Sequence, residues 1–468
     1  MTDKPELRGK KVTVVGLGIE GVDLARYLVF QGADVTVSDV RTADRLAPRL
    51  RELDGLPVRL ALGANDPADT VAADIVFVSQ GVPLRIPALA AAREKGVPLS
   101  SMTRLFLELC PGPVIGVTGS SGKTTVTSLA GAILAAAGKR HVVGGNIGVG
   151  LLALLDEITP DTLVVLEMSH TQLELAGKSP HIACVLNVTP NHLDQYSWPE
   201  YLALKENILR YQTGDDVAVM NHDDEQSRLM ASKARGKVVR FGLRGGFEGD
   251  GAFTRDGQVV RRAGGREERV MAVGDIPLRG EHNVSNVLAA TAVASEAGVD
   301  ARDIAKAVRD FKAVPHRLEF VAEIDGVRYY NDSIATTPER TLAGMRSFKE
   351  PLVLLLGGRE KHLPLEEMMR EMRRRCRAAV FFGEARETLV AAARAAGEVV
   401  APEKALHMES VASLEEAVAA ARAAAKAGDV VLLSPASTSF DAYDNFEERG
   451  EHFRRLVLEL ARQGGQQP

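Results

Sequence analysis

The chain has 468 residues, 45% of them hydrophobic and 25% charged, with a formal net charge of -5. That length suggests about two to four domains, and the composition is that of a globular protein with apolar surface for several cores. The slight acidity excludes a broad basic field for nucleic acid or an anionic membrane, and no run of about 20 apolar residues is present to span a bilayer.

Three cysteines, Cys110, Cys184 and Cys376, are scattered and form no CxxC pair. Neither a disulfide framework nor a cysteine-built zinc site is expected, and a reducing cytoplasm fits best. The first residues, MTDKPELRGKK, are charged and lack the apolar core of a signal peptide.

In chain order, the first element is the apolar strand Val12 to Val15. The turn GLGIEG (Gly16 to Gly21) follows, then a helix and a second strand ending at Asp39. This is a dinucleotide-type fingerprint. Its backbone N–H groups suit a diphosphate, and Asp39 could bond ribose hydroxyls. Taken alone it fits NAD, FAD or another anionic nucleotide, so a nicotinamide-dependent oxidoreductase is one reading. Ala73 to Pro83 repeats the strand pattern, which predicts a small parallel α/β domain ending near Met102.

A new unit opens with the strand Val114 to Val117, the segment GVTGSSGKTT (Gly116 to Thr125) and an Ala- and Leu-rich helix stopping at Gly138. Strand, glycine loop and helix are the context a phosphate loop needs. Glycines let backbone N–H groups face phosphate oxygens, and the helix N-terminus adds positive potential. Lys123 is placed to reach the terminal phosphates and Thr124 to put a hydroxyl on magnesium. Val117 stands where the general motif has its first glycine, so this is not the GTPase or motor-ATPase spelling.

Further apolar strands are predicted at Leu163 to Ser169 and Ile182 to Val188. Glu167 ends the first of these, His192 lies just beyond the second, and Lys205 sits on the helical segment YLALKENI. Singly, each has a bland reading: an exposed carboxylate, a loop histidine, a solvated lysine. Residues of about 240 to 280, with the turn Asp256-Gly257, predict β-hairpins, and a helix follows from Asn283 to Glu296. Beyond Val314, the segments PLVLLLGGREK, AAVFFGE and DVVLLSPAS are buried-type strands of another parallel α/β domain. The basic run Arg370 to Arg377 reads as a solvated helix face.

The loop TGSSGKTT resembles that of the Mur ligases and folylpolyglutamate synthases. GGNIG (Gly144 to Gly148), NVTPNHLD, GEHNVSN, PHRLEFV, YNDSIATTPE and SPASTSFDAYDNFEERG are similar to the glutamate-adding branch of the Mur ligases. The resemblance covers nearly the whole chain and implies an α/β protein of three-domain Mur ligase architecture. A Rossmann-like domain (1-105) would bind a UDP-linked substrate, a central P-loop ATPase domain (106-313) would bind ATP, and a C-terminal Rossmann-like domain (314-468) would bind glutamate.

The implied reaction joins glutamate to UDP-N-acetylmuramoyl-L-alanine through an acyl phosphate, in peptidoglycan precursor synthesis. D-glutamate is the implied amino acid, with an L-glutamate-adding variant as the alternative. The implied cofactors are ATP, two magnesium ions (manganese being the substitute) and CO2 held as a carbamate on Lys205.

By position, Lys123, Glu167, His192 and carbamylated Lys205 would be catalytic, and Thr124, Glu167, His192 and Lys205 would ligate metal. Gly119, Ser120, Ser121, Gly122, Lys123, Thr124, Thr125, Asn283, Asn286, Arg317 and Asp332 would bind ATP. Gly18, Ile19, Glu20, Asp39, Arg41, Asn146 and Ser169 would bind the UDP substrate. Thr336, Lys361, Ser439 and Phe446 would surround glutamate. No nucleic-acid partner and no membrane span are expected, and a monomer is. Three departures from the family's usual spelling stand out: Ser121 for asparagine, His170 and Thr171 after Glu167, and Ile334 and Thr337 in YNDSIATTPE.

Overall fold

A computed structural model of the protein describes residues 6–145, 151–191, 195–399 and 406–463. Runs of Val, Ile and Leu collect into three sheets. The first holds β1 (Lys11–Val15), β2 (Asp34–Asp39), β3 (Val58–Leu62), β4 (Ile75–Val78) and β5 (Leu99–Ser100), all parallel, in the order β3-β2-β1-β4-β5. The order reverses direction beside β1, and a doubly wound sheet binds its ligand at such a switch point.

The second sheet holds β6 (Val114–Thr118), β7 (His141–Gly145), β8 (Leu163–Glu167), β9 (Ile182–Val185), β10 (Val217–Asn221), β11 (Lys237–Gly242), β12 (Gly251–Arg255), β13 (Gln258–Ala263) and β14 (Arg266–Ala272). Its order is β14-β13-β12-β11-β10-β9-β6-β8-β7. Every residue of β6 is buried, as a strand flanked by parallel neighbours and covered on both faces should be. Val117 is 0% exposed, so the residue that breaks the general loop motif is a core residue of this strand. The predicted hairpins are present. Asp256 (φ 49°) and Gly257 (φ 70°) turn β12 into β13 through left-handed backbone, as a two-residue hairpin requires. β12 itself adds parallel to β11.

The third sheet holds β15 (Glu319–Ile324), β16 (Val327–Asn331), β17 (Leu352–Gly357), β18 (Cys376–Phe382), β19 (His407–Ser410) and β20 (Val430–Ala436), in the order β15-β16-β20-β17-β18-β19. Only β15 is antiparallel to its neighbour. The helix Glu366–Arg375 buries Met368, Met369 and Met372; Arg370 and Arg374 face solvent as expected, whereas Arg373 and Arg375 are half-buried and donate to Ala393 O and Met345 O.

The chain divides into two compact units. The first comprises Met1–Ile276 and Ser285–Phe311, and holds the first two sheets. One apolar cluster joins them, from Val14 and Phe77 through Phe106 to Leu166 and Tyr201. The helix Met102–Leu109, capped by Ser101 Oγ accepting from Arg104 N at 3.1 Å, feeds Met102, Leu105 and Phe106 into that cluster. Each such buried side chain contributes roughly 1.5–3 kcal/mol. The second unit comprises Pro277–Val284 and Lys312–Pro468 and holds the third sheet. Among the described residues no helix is long and apolar enough to cross a membrane.

Candidate active site

The phosphate loop lies between β6 and the helix Lys123–Ala136. Gly122 caps that helix with φ 83°, a left-handed conformation that favours glycine. The loop is pinned from the segment after β9. Ser120 N donates to Asn187 O at 2.8 Å, and Ser121 N donates to Asn187 Oδ1 at 2.9 Å. Ser120 Oγ donates to Thr189 O at 3.0 Å. Lys123 Nζ donates back to the loop carbonyl of Gly119 at 3.0 Å, so the ammonium is held over the loop. Thr124 opens the helix half-buried. Thr125 is buried, and its hydroxyl has no hydrogen-bond partner among the described residues. Asn286 reaches the loop at Gly122.

Glu167 ends β8 in register with Val117 of β6, which puts a buried carboxylate beside the root of the loop. Lys205, on the helix Trp198–Arg210, is only 1% exposed. Its Nζ donates to Thr118 Oγ1 at 3.1 Å and to Gly119 O at 3.1 Å, directly under the loop. Burial, then the nearby Lys123 charge, hold its pKa well below the ordinary lysine value, against the pull of Glu167. An amine so placed is biased toward its neutral, nucleophilic form. The ring of Tyr201, one turn earlier, lies 5.6 Å from Nζ. Thus Lys123, Glu167 and Lys205 converge on one loop. His192 lies outside the described residues.

Among the described residues, no group of three or more His, Cys, Asp or Glu side chains is arranged to hold a metal. The expected ligands are of another kind: the Thr124 hydroxyl, the Glu167 carboxylate, a modified Lys205 and His192. Oxygen donors beside a phosphate site suit magnesium, which binds few protein groups and keeps water or phosphate oxygens as its other ligands. The orphaned Thr125 hydroxyl and the buried Glu167 fit such a loop in its loaded state.

On the first sheet, Gly16 (φ 95°) makes the turn, and a β-carbon on Gly21 would lie 2.0 Å from Gly16 O, so the helix Ile19–Phe30 packs onto the turn only with glycine there. Asp39 is bonded at home. Its Oδ2 accepts from Leu17 N at 2.7 Å, and Arg41 donates to it through both Nε and Nη2. Burial raises its pKa, but the hydrogen bonds from Arg41 and Leu17 outweigh that and hold it below the usual carboxylate range. Ile19 is exposed, and Arg41 partly so. Gly18 caps the helix Ile19–Phe30, half-buried.

Glu20 accepts from Gln80 N at 3.0 Å and from Gln172 Nε2 at 3.3 Å. Ser169 caps the short helix His170–Glu174 in a reciprocal capping box with Gln172, and accepts from Gln80 Nε2 at 3.2 Å. Glu20, Gln80, Thr171 and Gln172 line a small cavity between the two sheets. His170 lies between two tyrosines, with ring centroids 5.5 Å from Tyr196 and 5.6 Å from Tyr201. Asn146 lies outside the described residues.

The second unit carries the remaining expected residues. Arg317 is flanked by two left-handed non-glycine residues, His316 (φ 64°) and Leu318 (φ 43°), a concentration of backbone strain. Asp332 is buried. Its Oδ1 accepts from Leu318 N at 3.2 Å and its Oδ2 from Ser434 Oγ at 2.9 Å. Burial pushes its pKa up to about 7. Asn283 Nδ2 donates to Arg279 O at 2.7 Å. Of the residues expected to bind ATP, the loop and Asn286 belong to the first unit, and Asn283, Arg317 and Asp332 to the second.

Thr336, Lys361 and Ser439 follow the carboxyl ends of β16, β17 and β20. Lys361 lines a small cavity with Pro338, Ala436 and Ser437. Phe446 opens the helix Phe446–Gln463 and meets His316 edge-on at 6.5 Å. Ala436 (φ 61°) is strained at the end of β20. Three residues not singled out from the sequence also build these sites: Asn187 and Tyr201 at the phosphate loop, and Arg449 in the second unit.

Three family patterns match in succession: the MurD-like N-terminal domain of Mur ligases over residues 10–101, the Mur ligase middle domain over 117–294, and the Mur ligase glutamate ligase domain over 316–437. The UDP-N-acetylmuramoylalanine--D-glutamate ligase of Symbiobacterium thermophilum is 42% identical, covering 97% of this chain and 98% of its own. That of Acetivibrio thermocellus is 40% identical over 97% of both. Among solved structures, the UDP-N-acetylmuramate-alanine ligase MurC of Thermotoga maritima superposes with a TM-score of 0.59 at 20% identity, covering 96% of this chain and 99% of that one. The MurF ligase of the same organism, in complex with ADP, gives 0.58 at 18% identity over 99% and 97%. With three consecutive domains matched and relatives aligned end to end, the chain belongs to the Mur ligase family.

Proposed function

We propose that this protein joins D-glutamate to UDP-N-acetylmuramoyl-L-alanine in peptidoglycan precursor synthesis, releasing ADP and phosphate. The observation that carries this reading is the convergence of Lys123, Lys205 and Glu167 on the phosphate loop, in a chain whose end-to-end relatives are named for that reaction.

In the first step the substrate carboxylate attacks the γ-phosphorus of ATP, and the bond to the β,γ-bridging oxygen breaks. Two anions must meet, so charge has to be neutralised as the phosphoryl group moves. The loop N–H groups and Lys123 supply that on the protein side. Bound magnesium, held by Thr124, Glu167, His192 and the Lys205 carbamate, would add electrostatic stabilisation of the phosphate oxygens. In the second step the amine of glutamate attacks the activated carbonyl, loses a proton and expels phosphate. Lys361, Thr336 and Ser439 are suited to the two carboxylates of glutamate, with Phe446 beside them. Gly18, Ile19, Glu20, Asp39, Arg41, Asn146 and Ser169 would hold the UDP substrate.

The burial of Lys205 supports the carbamate. The side chain is inside, its nitrogen donates to Thr118 Oγ1 and Gly119 O and to no carboxylate among the described residues, and its neutral form is favoured. We infer a monomeric cytoplasmic enzyme, which light scattering of the purified protein tests for the first of those two terms. For the reaction, ATP, magnesium and UDP-N-acetylmuramoyl-L-alanine are supplied with D- or L-glutamate in parallel, and phosphate release is measured. Release with D-glutamate is expected. Release only with L-glutamate would move the chain to the L-adding variant, and no release with either would defeat the reading.

A further inference from the structure

Arg449, on the helix Phe446–Gln463, is among the largest fully buried side chains of the protein. Its guanidinium lies across the carboxyl ends of three parallel strands. Nε donates to Ser333 Oγ at 3.0 Å, and Nη2 donates to Ser333 O at 2.9 Å. Nη1 is directed to the carbonyls of Gly357 (3.4 Å), Ser437 (3.2 Å) and Thr438 (3.1 Å). Ser333 follows β16, Gly357 ends β17, and Ser437 follows β20.

Each of these strand ends leads within a few residues to a side chain assigned to glutamate: Thr336, Lys361 and Ser439. The fourth, Phe446, lies one helical turn before Arg449, and its carbonyl accepts from Ser333 Oγ at 2.8 Å. The packing leaves no slack. A β-carbon on Gly358 (φ 123°) would lie 2.0 Å from Thr438 O and 2.9 Å from Arg449 Nη1.

Among the described residues every hydrogen-bond acceptor of this guanidinium is neutral, one hydroxyl and four carbonyls. A buried charge without a hydrogen-bonded carboxylate is a costly way to gain stability, and apolar packing would do that better. What a planar fork of N–H donors provides instead is fixed geometry among several acceptors.

We propose that Arg449 is a positioning residue for the amino-acid substrate, setting the spacing of the loops that carry Thr336, Lys361, Ser439 and Phe446 without touching glutamate itself. This rests on the glutamate-ligating reading above. The test compares the wild-type protein with Arg449→Lys and Ser333→Ala. Phosphate release and the KM for D-glutamate are measured, and acyl phosphate formed without glutamate is trapped with hydroxylamine. Arg449→Lys is expected to raise the glutamate KM at least about tenfold, the weight of a hydrogen bond to a charged group. Hydroxamate yield should stay within about twofold of wild type, because positioning acts only on the second step. Ser333→Ala removes one acceptor and the link to Phe446, and is expected to raise that KM about threefold.

An unchanged glutamate KM in both variants would overturn the proposal. So would a fall in hydroxamate yield that tracks the fall in ligation. If Arg449→Lys fails to fold, Ser333→Ala decides by the same two readouts. Absence of glutamate-dependent release in the wild-type protein would instead defeat the functional reading and is seen separately.

Discussion

The side-chain oxygen of Asn286 stands 2.5 Å from where a β-carbon on Gly122 would lie. The helix Glu281–Glu296 thus reaches the phosphate loop at a position that only glycine can hold. Gly122→Ala adds a left-handed penalty of roughly 1–2 kcal/mol and a collision with Asn286. The expected result is at least about tenfold weaker ATP binding, read by calorimetric titration. Unchanged affinity would show that the loop relaxes at no cost.

Lys123→Ala is expected to keep the fold and lose ADP formation by about a thousandfold, the scale for removing a charge that faces the transferring group. Single-turnover ADP release measures it. Retention of more than a tenth of the wild-type rate would remove Lys123 from the chemical step.

Lys205→Ala tests the carbamate. Activity is expected to drop by at least about a hundredfold and to return in part when short carboxylic acids such as acetate occupy the space of the missing oxygen donor. Full activity without rescue would sink the carbamate, and loss without rescue would leave Lys205 a packing residue.

The phosphate loop was legible in the sequence because everything it needs is local: a strand, three glycines, a lysine and a helix start. Lys205 was legible by kinship and not by its class, since charged helical residues usually face water. Yet Tyr201, Lys205, Ile208 and Leu209 are all buried, at the spacing of an apolar helix face. Arg449 follows the same rule with Phe453 and Val457. In both helices a charged residue occupies the apolar stripe, and reading by periodicity before residue class would have found it. Asn187 carried no such mark. It pins the loop from a distant strand end, and only the pairing of β6 with β9 brings it there. The three sheets were foreshadowed by their apolar runs, whereas the parallel pairing of β12 with β11 depends on contacts no local pattern encodes.

Asp332 makes stability depend on pH. Burial raises its pKa from 3.8 to about 7 in the folded protein. Between those values the native state holds a proton that the unfolded chain releases, so stability falls as pH rises across that window and levels off above it. Asp332→Asn mimics the protonated form. Without nucleotide, its melting temperature should exceed the wild type's at pH 8 and match it near pH 4, with a difference at pH 8 worth on the order of 4 kcal/mol. Parallel pH profiles for the two proteins would remove Asp332 as the source.

Gly450 faces His316 so closely that a β-carbon there would lie 2.2 Å from Nδ1. Gly450→Ala should cost about 1–3 kcal/mol, as overpacking of a core does. Because Arg449 precedes it, the glutamate KM should also rise. A thermal shift and one saturation curve check both, and an unaltered melting temperature would mean the helix Phe446–Gln463 can move aside.

The cap at Ser169 has a consequence for recombining relatives. Its capping box with Gln172 also receives Gln80 and binds Glu20, so a single helix start is shared property of the first two sheets. The N-terminal segment is therefore not an interchangeable cassette. A chimaera that swaps it must carry matched partners for both ends of those bonds, or the joint at Ser169 will be cut along with the sequence.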